Sequence, residues 1–141
     1  MSNEVEQAQA EVIEEFAFLD DWMDRYQYII DMGKRLQPLP DDERVDDNLI
    51  RGCQSRVWMV AETVDDRLSI RAISDAAIVS GLIAILLRIY SGRRPQDILD
   101  TSPDFVASLG LEQHLSPTRS NGLASMLKAI RRYAGEAVEA V

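Results

Sequence analysis

From Ala76 to Leu87 the chain is apolar at every position except Ser80 and Gly81. Ile78, Leu82, Ile85 and Ile89 recur at helical spacing on one face, while Val79, Ile83 and Leu86 fill a second. A helix apolar on most sides has to be enclosed by other elements. The run is well short of the roughly 20 residues that cross a bilayer, so the enclosing material must be protein. The segment therefore predicts a central helix, with Ser74 as its N-cap, Asp75 in its first turn, and Ser91-Gly92 at its end.

The flanking sequence supplies the cover. Val5, Ala8, Val12 and Phe16 predict an amphipathic helix over about 4–18, with a solvated acidic side. Asp20 or Asp21 caps a second helix to about Gly33, whose apolar stripe holds Trp22, Tyr26 and Ile29 or Ile30. Residues 37–47 carry two prolines and five acids and read as an exposed loop. The β-rich run Ser55–Thr63, the polar pair Asp65-Asp66 and the run Leu68–Ser74 predict a hairpin, with an extended piece at Asn48–Arg51 as a third strand. Downstream, Pro95 opens a short helix, Ser102-Pro103 starts another before Gly110, and Ser116-Pro117 starts a long last helix buried through Leu123, Met126, Leu127, Ile130 and Ala134. Trp58 and the other aromatics are expected in the core. The expected architecture is one α+β domain over residues 1–141, helices on one face of a small three-stranded antiparallel sheet, with an acidic helix at 1–18. A hydrophobic fraction of 46% suits such a core.

Charge narrows the partners. Of 24 acidic residues, eight precede the first base, Arg25, which leaves sixteen against the 15 bases of the body. A nearly neutral body behind an acidic front has no footprint for a phosphate backbone or an anionic membrane. No basic, apolar leader opens the chain, so a reduced cytoplasmic compartment is expected. The one cysteine, Cys53, forms no internal disulfide, and with one histidine, His114, there is no cluster to hold a metal.

Cys53 is the candidate for chemistry. Gly52 before it opens backbone conformations closed to other residues, and the polar loop upstream and strand downstream place the thiol at a junction between elements. Arg51 and Arg56 are close in sequence, and a nearby guanidinium favours the thiolate. A thiolate here can attack carbon, with His114 as the only available histidine base, can bind a metal, or can exchange sulfur, which needs no such base. Free cysteines are also commonly buried as small hydrophobes. Arg119 stands in the first turn of the last helix, where the helix dipole disfavours a cation. Gly122 costs that helix on the order of 1 kcal/mol relative to alanine, which implies a close approach to the helix start.

The blocks GCQSRVW (52–58), SDAAIVSGL (74–82), LGL (109–111) and HLSPTRSNGL (114–123), preceded by DWMDRYQYIIDMGKRLQPLP (21–40), are similar to the SufE family, including its CsdE branch. These are sulfur acceptor proteins of iron-sulfur cluster biogenesis, and the resemblance runs in order from about residue 16 to 134. It implies a fold shared with the IscU scaffold. It implies that Cys53 takes sulfane sulfur as a persulfide from a PLP-dependent cysteine desulfurase of the SufS or CsdA type, stimulates that enzyme, and passes the sulfur to a cluster scaffold. The chain would then be a carrier with no cofactor or metal of its own rather than an enzyme. Gln54 matches the position flanking the family's cysteine, Asp75 matches one that lies close by it, and Arg119 matches a family arginine that could stabilise the thiolate or touch the desulfurase. The rival readings are a cysteine hydrolase using Cys53 with His114, and an adaptor whose cysteine is structural.

Overall fold

The helix demanded by the apolar run is α3 (Ala77–Tyr90) in the computed structural model, which describes residues 3–140. Nine of its fourteen residues are buried, so the whole cylinder is enclosed rather than one stripe of it. Each isoleucine or leucine buried there contributes roughly 1.5–3 kcal/mol. The cover consists of α1 (Glu4–Ala17), α2 (Trp22–Gly33), the hairpin β1 (Val57–Val64) and β2 (Arg67–Ser74), the short helices α4 (Pro95–Asp100), α5 (Phe105–Ser108) and α6 (Leu111–His114), and the long α7 (Pro117–Glu139). A 3-10 turn at Asp46–Asn48 interrupts the loop before β1.

Two glycines let α2 lie directly on α3. A Cβ on Gly81 would stand 2.2 Å from the Ile29 carbonyl oxygen, and one on Gly33 would stand 2.5 Å from the Gly81 nitrogen. Helix backbones that touch in this way leave α2 no freedom to slide, which matters because α2 carries Trp22 and Tyr26 towards the start of α7.

The hairpin pairs Val57 with Ser74 through to Val64 with Arg67. Both turn residues, Asp65 (φ 52°) and Asp66 (φ 65°), are left-handed. That is the two-residue turn whose twist matches antiparallel strands, and aspartate tolerates it. Val57, Met59, Leu68, Ile70 and Ala72 face the core. Trp58 alternates with Val57 and Met59 and stands on the outer face, half-buried, not in the core as expected.

The sheet has two strands, not three. The expected third strand makes one bridge, Leu49 to Trp58, and the Ile50 N–H donates to the Val57 carbonyl at 2.9 Å. The 3-10 turn before this segment and the left-handed Gly52 (φ 89°) after it leave too few consecutive extended residues for a ladder. The α3 N-cap also differs from expectation. Ser74 closes β2, and Ala76 occupies the cap with no side-chain bond.

α1 buries Val5, Ala8, Gln9, Val12 and Phe16. Gln9 donates to the Ser102 carbonyl at 3.0 Å and accepts from the Phe105 N–H at 2.9 Å, which ties α1 to the start of α5. Its acids are not all solvated: Glu4 pairs with Arg67, and Glu15 with Arg88 and the Tyr28 hydroxyl. Those bonds hold both carboxyls below the usual range. Met1, Ser2 and Val141, which the sequence reading included in the domain, lie outside the described residues.

Candidate functional site around Cys53

Cys53 sits where the loop before β1 meets the start of α7. Gly52 takes φ 89°, which side chains rarely adopt, and a Cβ on it would come 2.5 Å from Ser125 Oγ. That conformation turns the chain so that Cys53 is half-buried against α7, with its Sγ–H donating to the Gly122 carbonyl oxygen at 3.5 Å. The neighbour of Gly122 is the thiol itself, but a Cβ there would meet Cys53 Sγ at 3.7 Å, an ordinary contact, so the close approach expected from this glycine is not found.

Behind the sulfur lies a small cavity. Val79 and Leu82 of α3 and Met126 of α7 make its apolar lining, and Gln54, Thr118 and Arg119 its more polar rim. The centre of a water-sized sphere finds about 20 Å³ there, room for little more than one such sphere. Arg119, distant in sequence, thus meets Cys53 and Gln54 around one atom-sized space. Arg119 is exposed and its Nη1 donates to the Tyr26 hydroxyl at 3.4 Å, while its backbone N–H donates to the N-cap Ser116 Oγ at 3.3 Å.

Asp75 is placed differently from the helix-start reading of it. It neither lines the cavity nor begins α3. Its carboxylate accepts from the Arg56 N–H at 3.2 Å, and its own N–H donates to the Arg56 carbonyl at 3.3 Å. Ser74 Oγ donates to that same carbonyl at 2.7 Å. The end of β2 thereby fastens the strand-side end of the cysteine loop.

The electrostatics correct another expectation. Burial pushes the Cys53 thiol up from its ordinary value of 9.0, and no cation lowers it. Arg51 and Arg56 are exposed and border an open cleft on the outer side of the loop. Folded and undocked, the sulfur is a protected thiol at neutral pH. His114 is not at the site: its ring stacks on Trp22 at 4.5 Å between centroids and 12° between planes. No group of three or more metal-ligating side chains exists among the described residues. No helix among them is long and apolar enough to cross a membrane.

Val79, Leu82, Met126, Thr118 and Ser125 escape sequence reasoning as site residues. Their side chains look like ordinary helix positions, and only Gly122, out of place in a helix interior, signals that something docks there.

A family model described as "SufE: Fe-S metabolism associated domain" matches residues 10–134. An uncharacterized SufE-like protein of Rhizobium meliloti is 43% identical over 126 residues, covering 86% of this chain and 90% of that protein. A second uncharacterized SufE-like protein, from Rhizobium etli, is 45% identical over 130 residues, covering 88% and 87%. The solution structure of a hypothetical protein from Thermus thermophilus superposes with a TM-score of 0.79 over 99% of both chains at 20% identity, a likeness of fold.

Proposed function

The chain belongs to the SufE family of Fe-S metabolism associated domains, and from that premise we propose that it is a sulfur carrier whose Cys53 accepts sulfane sulfur from a PLP-dependent cysteine desulfurase, stimulates that donor, and passes the sulfur to iron-sulfur cluster assembly. The observation that carries the reading is the pairing of the chain's one cysteine with an atom-sized apolar cavity, on a turn held by Gly52. A persulfide open to solution is lost to any free thiol, and a cavity of that size suits a second sulfur.

In the transfer, the Cys53 thiolate attacks the terminal sulfur of the donor's persulfide. A bond forms between Cys53 Sγ and that sulfur, the donor's S–S bond breaks, and its electron pair leaves with the donor's cysteine sulfur. The thiol proton must be lost first, and burial opposes this. Attack therefore follows movement of Cys53 out of the cavity when the donor docks, and Gly52 permits that movement. Gln54 and Arg119, at the cavity rim, would meet the donor beside the sulfur. The protein turns over no small molecule alone and works in the cytoplasm beside its donor and a downstream scaffold, the whole chain acting as one unit.

Mixing the protein with a cysteine desulfurase, PLP and cysteine should add the mass of one sulfur to wild type and none to Cys53→Ser, with the donor stimulated only by wild type. A Cys53→Ser variant that still stimulates would overturn the carrier reading in favour of an adaptor. His114→Ala should accept sulfur as wild type does, whereas a hydrolase would lose its base.

A further inference from the structure

The turn that carries Cys53 is fastened to α7 at two consecutive residues. The Cys53 Sγ–H reaches the Gly122 carbonyl at 3.5 Å, and Ser125 Oγ–H reaches the Gly52 carbonyl at 3.4 Å. Gly122 and Ser125 are three apart in one helix and so share a face, one above the other. Contact at Gly52 is so close that a Cβ would stand 2.5 Å from Ser125 Oγ and 3.4 Å from Ser125 Cβ. Clefts flank the turn on both sides, one lined by Arg51, Gly52, Ser125, Lys128 and Arg132, the other by Ile50, Arg51, Cys53, Ser55 and Arg56. With open space beside it, the turn is held against α7 by few contacts, and the hydroxyl is the only one of the two fastenings that remains when the thiol loses its proton.

We infer that Ser125 is a positioning residue for Cys53: its hydroxyl latches the Gly52 carbonyl to α7 and sets how often the turn lifts and presents the sulfur. A thiolate or persulfide at Cys53 has no Sγ–H to donate to the Gly122 carbonyl as the free thiol does, so the loaded turn hangs more on Ser125 and its packing. Removing the hydroxyl therefore raises the exposure of the sulfur in every state, while the lining of the cavity and the residues at its rim stay in place. The biological meaning of the latch rests on the sulfur-carrier reading, but its existence does not.

The test is the alkylation rate of Cys53 by iodoacetamide in the full-length protein at fixed pH, normalised to the rate in urea, with no sulfur donor present. Ser125→Ala should be alkylated about twofold to tenfold faster than wild type, the range that one net hydrogen bond represents, with its thermal midpoint lowered by no more than a few degrees because the folded state loses the same bond. The second arm repeats the substitution in a Gly52→Ala background, where the new Cβ has already displaced the hydroxyl. There Ser125→Ala should have no effect or should slow alkylation by relieving the clash. An unchanged rate in Ser125→Ala, or the same acceleration in both backgrounds, overturns the latch. Sulfur transfer is measured separately: failure of wild type to accept sulfur would sink the carrier reading and leave the alkylation result standing.

Discussion

Gly122→Ala sets stability and sulfur retention against each other. Gly122 lies inside α7 and outside the left-handed region, so the backbone accepts alanine without strain. The added Cβ would meet only Cys53 Sγ, at 3.7 Å, an ordinary van der Waals contact. Replacing an interior glycine therefore stabilises the helix by about 1 kcal/mol, or about 3 °C in thermal midpoint for a chain of this length. Gly122 also lines the cavity, which has about 20 Å³ for a water-sized centre, so the added methyl group should take room from a second sulfur. Burial of one atom of methylene size is worth roughly 0.8 kcal/mol, so a persulfide driven out should react about fourfold faster. The assay loads wild type and variant with sulfur, adds glutathione, and follows the loaded species by intact mass, with urea unfolding run in parallel. A stabilised variant that keeps its persulfide as long as wild type refutes the cavity as the shelter. A destabilised variant refutes the claim that α7 has room for the methyl.

Gly81→Ala drives a Cβ to 2.2 Å from the Ile29 carbonyl, backbone against backbone, where neither helix yields without lifting the other. Overpacking at its usual upper end costs about 3 kcal/mol, and urea unfolding should read that loss; a loss under about 1 kcal/mol would show slack between α2 and α3. Asp75→Ala removes the acceptor of the Arg56 N–H and should speed Cys53 alkylation while lowering stability by about 1 kcal/mol, with Asp75→Asn restoring both; an unchanged alkylation rate sinks the tie. Because burial raises the folded-state value of Cys53, its stabilising effect is complete below the ordinary value of 9.0 and is lost as pH rises through the folded one. Wild type should therefore lose urea stability more steeply than Cys53→Ser above about pH 9, before Tyr90, pushed up to about 12, adds a loss of the same sign in both. Equal slopes in the two proteins would contradict the burial of the thiol.

Features legible in the sequence are those decided within one element. α3 is legible because its periodicity is carried by its own residues, and the hairpin because a β-rich run is cut by two aspartates that tolerate the left-handed turn. Period-two alternation along β1 already puts Trp58 opposite Val57 and Met59, so its outward placement was readable from the same strand. Features set by backbone conformation or by distant partners were not legible. Whether Asn48–Arg51 forms a strand depends on the 3-10 turn and the left-handed glycine at its ends. Ser74 and Asp75 look like a helix start, and only the register that brings Arg56 alongside them makes them a clasp. Gly122 is the intermediate case: its misfit in α7 points to the helix face that the sulfur contacts, although the structure leaves room there for a methyl group.

Sequence neighbours also mislead about the reactivity of Cys53. Arg51 and Arg56 flank it in the chain and border an open cleft that Cys53 also lines, yet no cation lowers the thiol, whose sulfur meets a carbonyl oxygen and a cavity with aliphatic lining. A carbonyl acceptor favours the S–H form and an apolar lining penalises the anion, so both act in the same direction. Nothing in this arrangement activates the nucleophile where it rests; it stabilises the form that cannot attack. A carrier gains from that choice, because a permanently activated thiolate would exchange with every small disulfide it met. Reactivity must then be switched on by displacement: lifting the turn breaks the bond to Gly122, returns the thiol to water, and lets its value fall towards the ordinary one. On the proposed carrier role, the free energy that holds the turn down would be the barrier that a docking partner has to overcome, and the contacts of residues 52 and 53 with α7, more than the charge around them, would determine when sulfur moves.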